Sequence, residues 1–532
     1  MPQSPKKQSF LHGTMLLTLS TAIVKVIGAF YSIPLKAIIG DQGFGYYSTA
    51  YEIYTILLMI STAGLPVAMS RMISQASSLE HYRQVRKIYS TAKGIFLGLG
   101  LVGSLLMTLF CRQLAAFQEQ PDAWVAIGAL GPSCFFICLM STYRGFFQGQ
   151  GNMLPTSVSQ VLEAICKLAV GIGAAVFAYQ LTHSISYAAG GAILGVTASC
   201  LLSSVYLGSV FGKAYKDLPI TEEPVSSRKE IAKGLLAIAI PITLGSAGLQ
   251  ILTALETKVY MSQLLEFMTQ QAADTQKGIY NFIQKIFNMP CAFITPITIS
   301  IIPAITAQLT TGETRGAKAT EESAARVTAL ISAPCAVGLA VLAQPVTALL
   351  GGYSGENLAL ATQLMGILGL CILFNAAVLL TNAIMQAHGH VTLPVVNMFV
   401  GGILKLIAIS MLTRNPHIGI LGAPIGTFLC YVSITILNLI SLRRAVEQTP
   451  AIVKNMLRAV LSAAIMGAAV YGTWYGLTAA LGSDMSRVIA CGVPLVVGVV
   501  VYAVCAVKLK AITREDCMLL PKGERIAHIL HL

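Results

Sequence analysis

The chain has 532 residues, 55% of them hydrophobic and 11% charged, with a mean hydropathy of +0.73. Soluble domains carry roughly 25% charged residues, so a chain this long lacks the charge to clothe several soluble surfaces. A secreted enzyme, a disulfide scaffold and a coiled coil are excluded, and the net charge of +13 sits in short gaps between apolar runs, which argues against nucleic acid as partner.

Apolar runs of about 20 residues, each long enough to cross a hydrocarbon core of roughly 30 Å, recur along the chain. They predict an all-α polytopic membrane protein with about 14 transmembrane helices. The spans read 13–38, 45–74, 88–116, 123–147, 155–180, 187–211, 233–264, 277–309, 324–350, 357–386, 391–413, 419–442, 455–480 and 487–508. The stretch before the first span (with Lys6 and Lys7) lacks the pattern of a removable signal peptide, so that span is expected to stay. Placing the N-terminus inside gathers Arg71, Arg83, Arg86, Lys87 and Lys93, then Lys213 to Lys233, then Arg443, Arg444, Lys454 and Arg458, on one side. The other side keeps Lys36, Arg112, Lys277, Arg414 and Arg487. By the positive-inside rule, both termini are expected in the cytoplasm of a bacterial cell membrane protein.

Residues 213–232, with Pro219, Glu222, Glu223 and Pro224, form the longest polar linker. They separate an N-terminal six-helix half, 1–212, from a C-terminal six-helix half, 233–444; two further helices (445–508) and a cytoplasmic tail (509–532) follow. The halves look related. Gln148-x-x-Gly151 precedes Lys167 by nineteen residues, and Gln386-x-x-Gly389 precedes Lys405 by nineteen. Pro155 and Pro394 open the following helices, and Gly191-Ala192-x-x-Gly195 is echoed by Gly422-Ala423-x-x-Gly426. Matching elements lie six spans apart, so the repeat is parallel in the membrane. Pro66, Pro132, Pro241, Pro296, Pro303, Pro334 and Pro494 fall inside spans, where a proline kinks the rod.

Lys25, Lys167, Lys258, Lys285 and Lys405 lie within apolar runs. A lipid-facing lysine at a helix centre costs roughly 2.5–3.5 kcal/mol, so all five must face water, meet an acid or snorkel. Glu52, Glu163 and Glu256 are the buried acids on offer. Glu163 and Lys167 are four apart, Glu first, and read as a mainly structural pair. Glu256 and Lys258, two apart, point to different faces. Arg144 is either an interfacial anchor or a cavity residue. Together these cations outnumber the acids, and a bundle interior of that sign attracts anions. Lys25 and Lys285 have no acid within one turn and are the first candidates for substrate contact.

Tyr47, Tyr51 and Tyr54 form a one-face stripe, which suits an interfacial aromatic belt or a stacking surface for a sugar. His388-Gly389-His390 reads as a solvated turn without acid or Cys beside it. The twelve cysteines, nearly all within apolar runs, read as small hydrophobes. No motif calls for a metal, a cofactor or a catalytic residue.

The stretches Lys25-Val26-Ile27-Gly28, Ile33-Pro34-Leu35, Ile39-Gly40-Asp41-Gln42-Gly43 and Ser61-Thr62-Ala63-Gly64-Leu65-Pro66 resemble the SpoVB-like polysaccharide biosynthesis proteins. These group with MurJ-type lipid II flippases, in the superfamily that also holds the MATE drug exporters. Arg144-Gly145-x-x-Gln148-Gly149 with Pro155-Thr156, and Leu519-Leu520-Pro521-Lys522-Gly523, fit the same group. The resemblance implies alternating-access transport of an undecaprenyl-pyrophosphate-linked sugar from inner to outer leaflet, through a cavity lined with cations. It also implies that the last two helices form a groove for the lipid tail. Lys25 falls where MurJ-type proteins carry a first-helix Arg. Two MurJ-type pairs, Arg-Asp and Arg-Arg, are replaced here by Tyr31-Ser32 and Leu58-Met59, which favours the sporulation-type branch.

The expected function is thus a flippase rather than an enzyme, its partners a lipid-linked oligosaccharide and membrane lipids. A MATE-like multidrug antiporter is the alternative, but an exporter of cations would want the opposite interior sign. A membrane enzyme acting on lipid-linked sugars would need a poised acid or His on a large outer loop, and the outer loops are short.

Overall fold

Once water is gone, an apolar segment must satisfy its backbone N–H and C=O groups within itself, and the helix does so. The computed structural model describes residues 10–59, 64–446, 448–482 and 486–511, and the regular structure among them is helical. In chain order the helices are α1 (Phe10–Met59), α2 (Leu65–Ser78), α3 (Tyr82–Leu109), α4 (Cys111–Phe117), α5 (Trp124–Gly149), α6 (Leu154–Thr182), α7 (Ile185–Lys216) and α8 (Arg228–Leu264). There follow α9 (Gln270–Thr310), α10 (Thr314–Val341), α11 (Ala343–Gly351), α12 (Gly355–Ala387), α13 (Thr392–Thr413), α14 (Gly422–Ala445), α15 (Ile452–Leu481) and α16 (Arg487–Lys508).

Among the described residues, ten helices are long and apolar enough to cross a membrane: α3, α5, α6, α7, α10 and α12 to α16. Of the remaining expected spans, 233–264 lies in α8, 277–309 in α9 and 13–38 in α1, a 50-residue helix broken at Gly40 (φ 69°), while 45–74 begins in α1 and ends in α2, and its residues 60–63 lie outside the described residues. Pro132, Pro334 and Pro494 are helix-interior as expected. Pro66 is not: it opens α2, where a missing N–H is harmless. Residues 61–63 and 519–523 and the side chain of Lys25 lie outside the described residues.

The chain divides into two compact units, Met1–Asn281 and Phe282–Leu532. The division falls within α9, not at the 213–232 linker, because α8 packs on α1, α2 and α3 and stays with the first unit. In that unit α7 lies along α5 and α6; in the second, α10 packs on α12 and α15, and α14 on α12 and α13.

Inside each unit the repeat reappears as matching contacts. The turns after α5 and α12 place Gly151 at φ 74° and Gly389 at φ 84°. Asn152 N donates to Phe147 O and His390 N to Met385 O, each at 2.9 Å, closing the same left-handed helix stop. Ser204 Oγ donates to Phe136 O in one unit, and Thr435 Oγ1 to Phe374 O in the other. A Cβ on Gly195 would meet the Lys167 carbonyl oxygen at 3.0 Å, and one on Gly426 the Lys405 carbonyl oxygen at 3.3 Å. Lipid tails are as apolar as leucine, so helices in a membrane associate by such close, small-residue packing.

The polar linker is laid along unit one. Its side chains cap the start of α3, whose first amides have no partner in their own helix. Arg83 N donates to Thr221 Oγ1 at 3.1 Å and Gln84 N to Glu223 Oε1 at 3.0 Å, while Arg86 Nη2 reaches Leu218 O at 2.7 Å. Ser227 and Glu230 then form a capping box that starts α8. Against the opposing push of desolvation, hydrogen bonds from Thr221 and the α3 amides hold the Glu223 carboxyl down at about 2. A depressed carboxyl contributes its docking above the ordinary carboxylate value of about 4.3, and loses it as pH falls through the folded value. A nitroxide at Glu222 should therefore stay immobile from neutrality to about pH 4.3 and loosen progressively toward pH 2. In Glu223→Ala it should already be mobile at pH 7, as read by electron paramagnetic resonance.

Candidate functional site

Three helices of unit one bring charge and aromatic rings together. Arg144, near the end of α5, faces α6: its Nε donates to Ser159 Oγ and its Nη2 to Glu163 Oε2, both at 3.0 Å. One turn along α6, Lys167 Nζ donates to Tyr51 OH of α1 at 2.6 Å and lies 4.5 Å and 5.3 Å from the Tyr51 and Tyr31 ring centres. Tyr47 and Tyr54 continue the ring ladder on either side of Tyr51, at centroid separations of 5.2 and 5.6 Å. Ser20 of α1 donates to Gln160 of α6 at 3.2 Å. The Arg144 and Glu163 side chains remain 18% and 30% exposed, so the polar edge of this cluster is open, while Tyr31, Tyr47 and Tyr54 of its aromatic floor are buried and Tyr51 is half-buried.

Several expectations change. Glu163 pairs with Arg144 of a neighbouring helix, whereas Lys167 is held by phenol oxygen and ring faces. The tyrosine stripe is no interfacial belt: Tyr47 and Tyr54 are 4% and 3% exposed, packed inside the unit. His388 does have an acid beside it, since its Nε2 lies 2.7 Å from Oε1 of buried Glu321 on α10. Lys277, expected at the outer end of the span 277–309, is fully buried inside α9 and pairs with Glu52 at 3.6 Å. The i, i+3 spacing of Asp274 and Lys277 was the sequence signal that α9 begins before residue 277.

Lys258 is half-buried with its Nζ 4.0 Å from the Phe117 ring centre, and Glu256 beside it in sequence is 4% exposed. Lys285 and Lys405 are half-buried in the second unit, on α9 and α13. The residues brought together are therefore Arg144, Glu163 and Lys167 on the one hand, Glu52 with Lys277 on the other.

Removing the Glu163 charge strands Arg144. Because the pair is partly solvated, Glu163→Gln should lower stability by about 1–2 kcal/mol, less than a fully buried pair would. Exchanging Glu163 with Lys167 should not restore it, because the partner of Glu163 is on α5. Thermal melting in detergent, followed by circular dichroism, checks both.

A cluster with two cations and one carboxylate, floored by tyrosines, suits an anionic, sugar-bearing ligand. Over 525 residues the chain is 25% identical to the lipid II flippase MurJ of Bacillus subtilis (strain 168), covering 94% of this chain and 95% of that one. It is 26% identical over 440 residues to stage V sporulation protein B of the same organism, covering 81% and 83%. A solved structure of lipid II flippase MurJ in an inward closed conformation matches with a TM-score of 0.68 at 14% identity, over 92% of this chain and 98% of that one, a likeness of fold. Residues 10–308, more than half of the chain, match the polysaccharide biosynthesis proteins as a family. The chain belongs to the polysaccharide biosynthesis protein family.

Proposed function

We propose that this protein is a flippase carrying an undecaprenyl-pyrophosphate-linked sugar, lipid II or a related polysaccharide precursor, from the inner to the outer leaflet by alternating access. The observation that carries the reading is the open-edged Arg144–Glu163–Lys167 cluster over its tyrosine floor. With one carboxylate for two cations its net charge is positive, the sign that draws in a pyrophosphate and repels a cationic drug. Tyr51 gives Lys167 a neutral partner, so the ammonium keeps its full charge for an anion. The rings offer apolar faces of the kind on which sugars stack.

In this reading both termini and the linker face the cytoplasm, where the basic loops gather. Lys25 and Lys285 are further contacts for the headgroup, each deep in an apolar helix where a charge is tolerable only beside water or an anion. Lys405 stands at the position of the second repeat that matches Lys167. Lys258 serves as an anchor on Phe117, and Glu256 and Glu52 temper the positive interior.

The test is purified protein in liposomes, offered fluorescent lipid II beside other polyprenyl-linked sugars, with leaflet accessibility scored. Lys167→Gln should lower the flipping rate tenfold or more with folded yield unchanged, on the order of one lost charge-assisted contact worth about 1.4 kcal/mol or more. Lys167→Arg should keep part of the rate. Near-normal flipping by Lys167→Gln, or export of a hydrophobic cation in place of lipid transport, would sink the reading.

A further inference from the structure

A carboxylate is out of place in a site for anions, yet Glu163 sits within one. Ser159, Glu163 and Lys167 follow at four-residue spacing, so they share one face of α6. Arg144 reaches that face from α5 and grips it at two points. Its Nε donates to Ser159 Oγ, a hydroxyl 0% exposed that in turn donates to the Thr156 carbonyl at 2.7 Å. Its Nη2 donates to Glu163 Oε2 at 3.0 Å, at the open edge.

The two grips differ in kind. The serine is locked in the packing and fixes where the guanidinium lies. Glu163 is held through Oε2, on a side chain 30% exposed, and its Oε1 accepts no hydrogen bond among the described residues. Arg144 Nη1 likewise donates to none among them. A guanidinium fork can bind two oxygens side by side, and Glu163 takes up one of those places.

The second repeat separates the acid from the lysine. The offset that carries Gln148 to Gln386 carries Lys167 to Lys405, Arg144 to Asn382 and Glu163 to Gly401. The lysine is kept, while the arginine and the acid are lost together. Glu163 is thus the counter-ion of Arg144, whereas Lys167 has its setting from Tyr51 and Tyr31.

We propose that Glu163 is the resident anion of the site: its carboxylate holds the place on Arg144 that a phosphate oxygen of the cargo takes, and it is displaced when the cargo binds. The proposal rests on the flippase reading above and adds how that site takes up its cargo and lets it go. Two anions at one guanidinium edge repel, and where the dielectric is reduced this repulsion exceeds the worth of a one-point, partly solvated ion pair. The carboxylate gives way. Its displacement costs little, because it swings into water from an edge that water already touches. Ser159 holds the guanidinium in place meanwhile. Arg144 exchanges one anion for another and is not left bare, so the exchange runs equally well in both directions. Without the acid, the free energy of a stranded guanidinium in the empty site would reappear as affinity for the cargo, and release would slow.

The test is thermal melting in detergent with and without inorganic pyrophosphate, paired with its binding by titration calorimetry. Empty Glu163→Gln should melt below the unaltered protein, and saturating pyrophosphate should remove most of that difference. Its affinity for pyrophosphate should rise about fivefold to thirtyfold, the factor equivalent to about 1–2 kcal/mol. Glu163→Asp, with the same charge on a shorter arm, should fall in between, and it gives the same reading where the Gln variant yields little protein. Undecaprenyl pyrophosphate in micelles should follow the same order, and Glu163→Gln should flip fluorescent lipid II more slowly in liposomes. An acid that only braces the helices would leave the melting deficit intact at saturating pyrophosphate. A carboxylate that helps to bind the cargo would make Glu163→Gln bind more weakly. Either result overturns the proposal. The flippase reading has its own arm, since weaker pyrophosphate binding by Lys167→Gln supports it whatever Glu163 does. Tightening with inorganic pyrophosphate alone would keep the displacement and overturn a lipid-linked cargo; binding of neither probe would overturn both.

Discussion

Charge placed where bulk water cannot reach it is the constraint on which the rest of this structure depends. A lipid-facing lysine costs roughly 2.5–3.5 kcal/mol, comparable to a large part of a fold's net stability, so each must be met by something specific. The chain meets them in different ways. Arg144 takes a carboxylate from the next helix, Lys167 a phenol and two ring faces, Lys258 a phenylalanine ring, and Lys277 a hydroxyl and a carboxylate. These choices sort the cations. Lys277 has a carboxylate and full burial, Arg144 a carboxylate at a partly exposed edge, and Lys167 a phenol and ring faces.

The two units share a helix-packing scheme but not its chemistry. The glycine contacts under Lys167 and Lys405 and the matched Ser204 and Thr435 bonds fix the helices of each unit in one register. Within that register the polar positions have diverged. The offset that carries Gln148 to Gln386 also carries Arg144 to Asn382 and Ser159 to Asn397. In unit two these amides join Asn438, whose Nδ2 donates to Asn382 Oδ1 and whose Oδ1 accepts from Asn397, both at 2.8 Å. A neutral, internally satisfied network has replaced the charged, half-open one. The same scaffold thus supports a charged, half-open cluster in one unit and a neutral amide hub in the other.

Between the ends of unit one a division of labour follows from the same physics. At the linker end, backbone amides of α3 are capped by exposed side chains, which water can replace at small cost. At the opposite end, around Lys277, the partners are buried and mutually dependent, so the contact is either whole or absent.

The sequence alone determined the helical class, ten of the spans and the repeat, because each of these is local. Apolar run length fixes a membrane helix, and a repeated Gln-x-x-Gly fixes a helix stop whatever surrounds it. It also exposed Arg144, Glu163 and Lys167 as charges in an apolar setting, since composition suffices for that. Spacing along a chain, however, reports only which residues share a face of one helix. It paired Glu163 with Lys167, put Lys277 at the outer end of a span, left the tyrosines between an interface and a stacking surface, and left His388 without an acid. The partners that decided otherwise come from far away: Tyr51 is 116 residues from Lys167, Thr49 is 228 from Lys277, and Glu321 is 67 from His388. Those distances are closed by helix packing, so only the tertiary structure could decide which buried charge meets which partner.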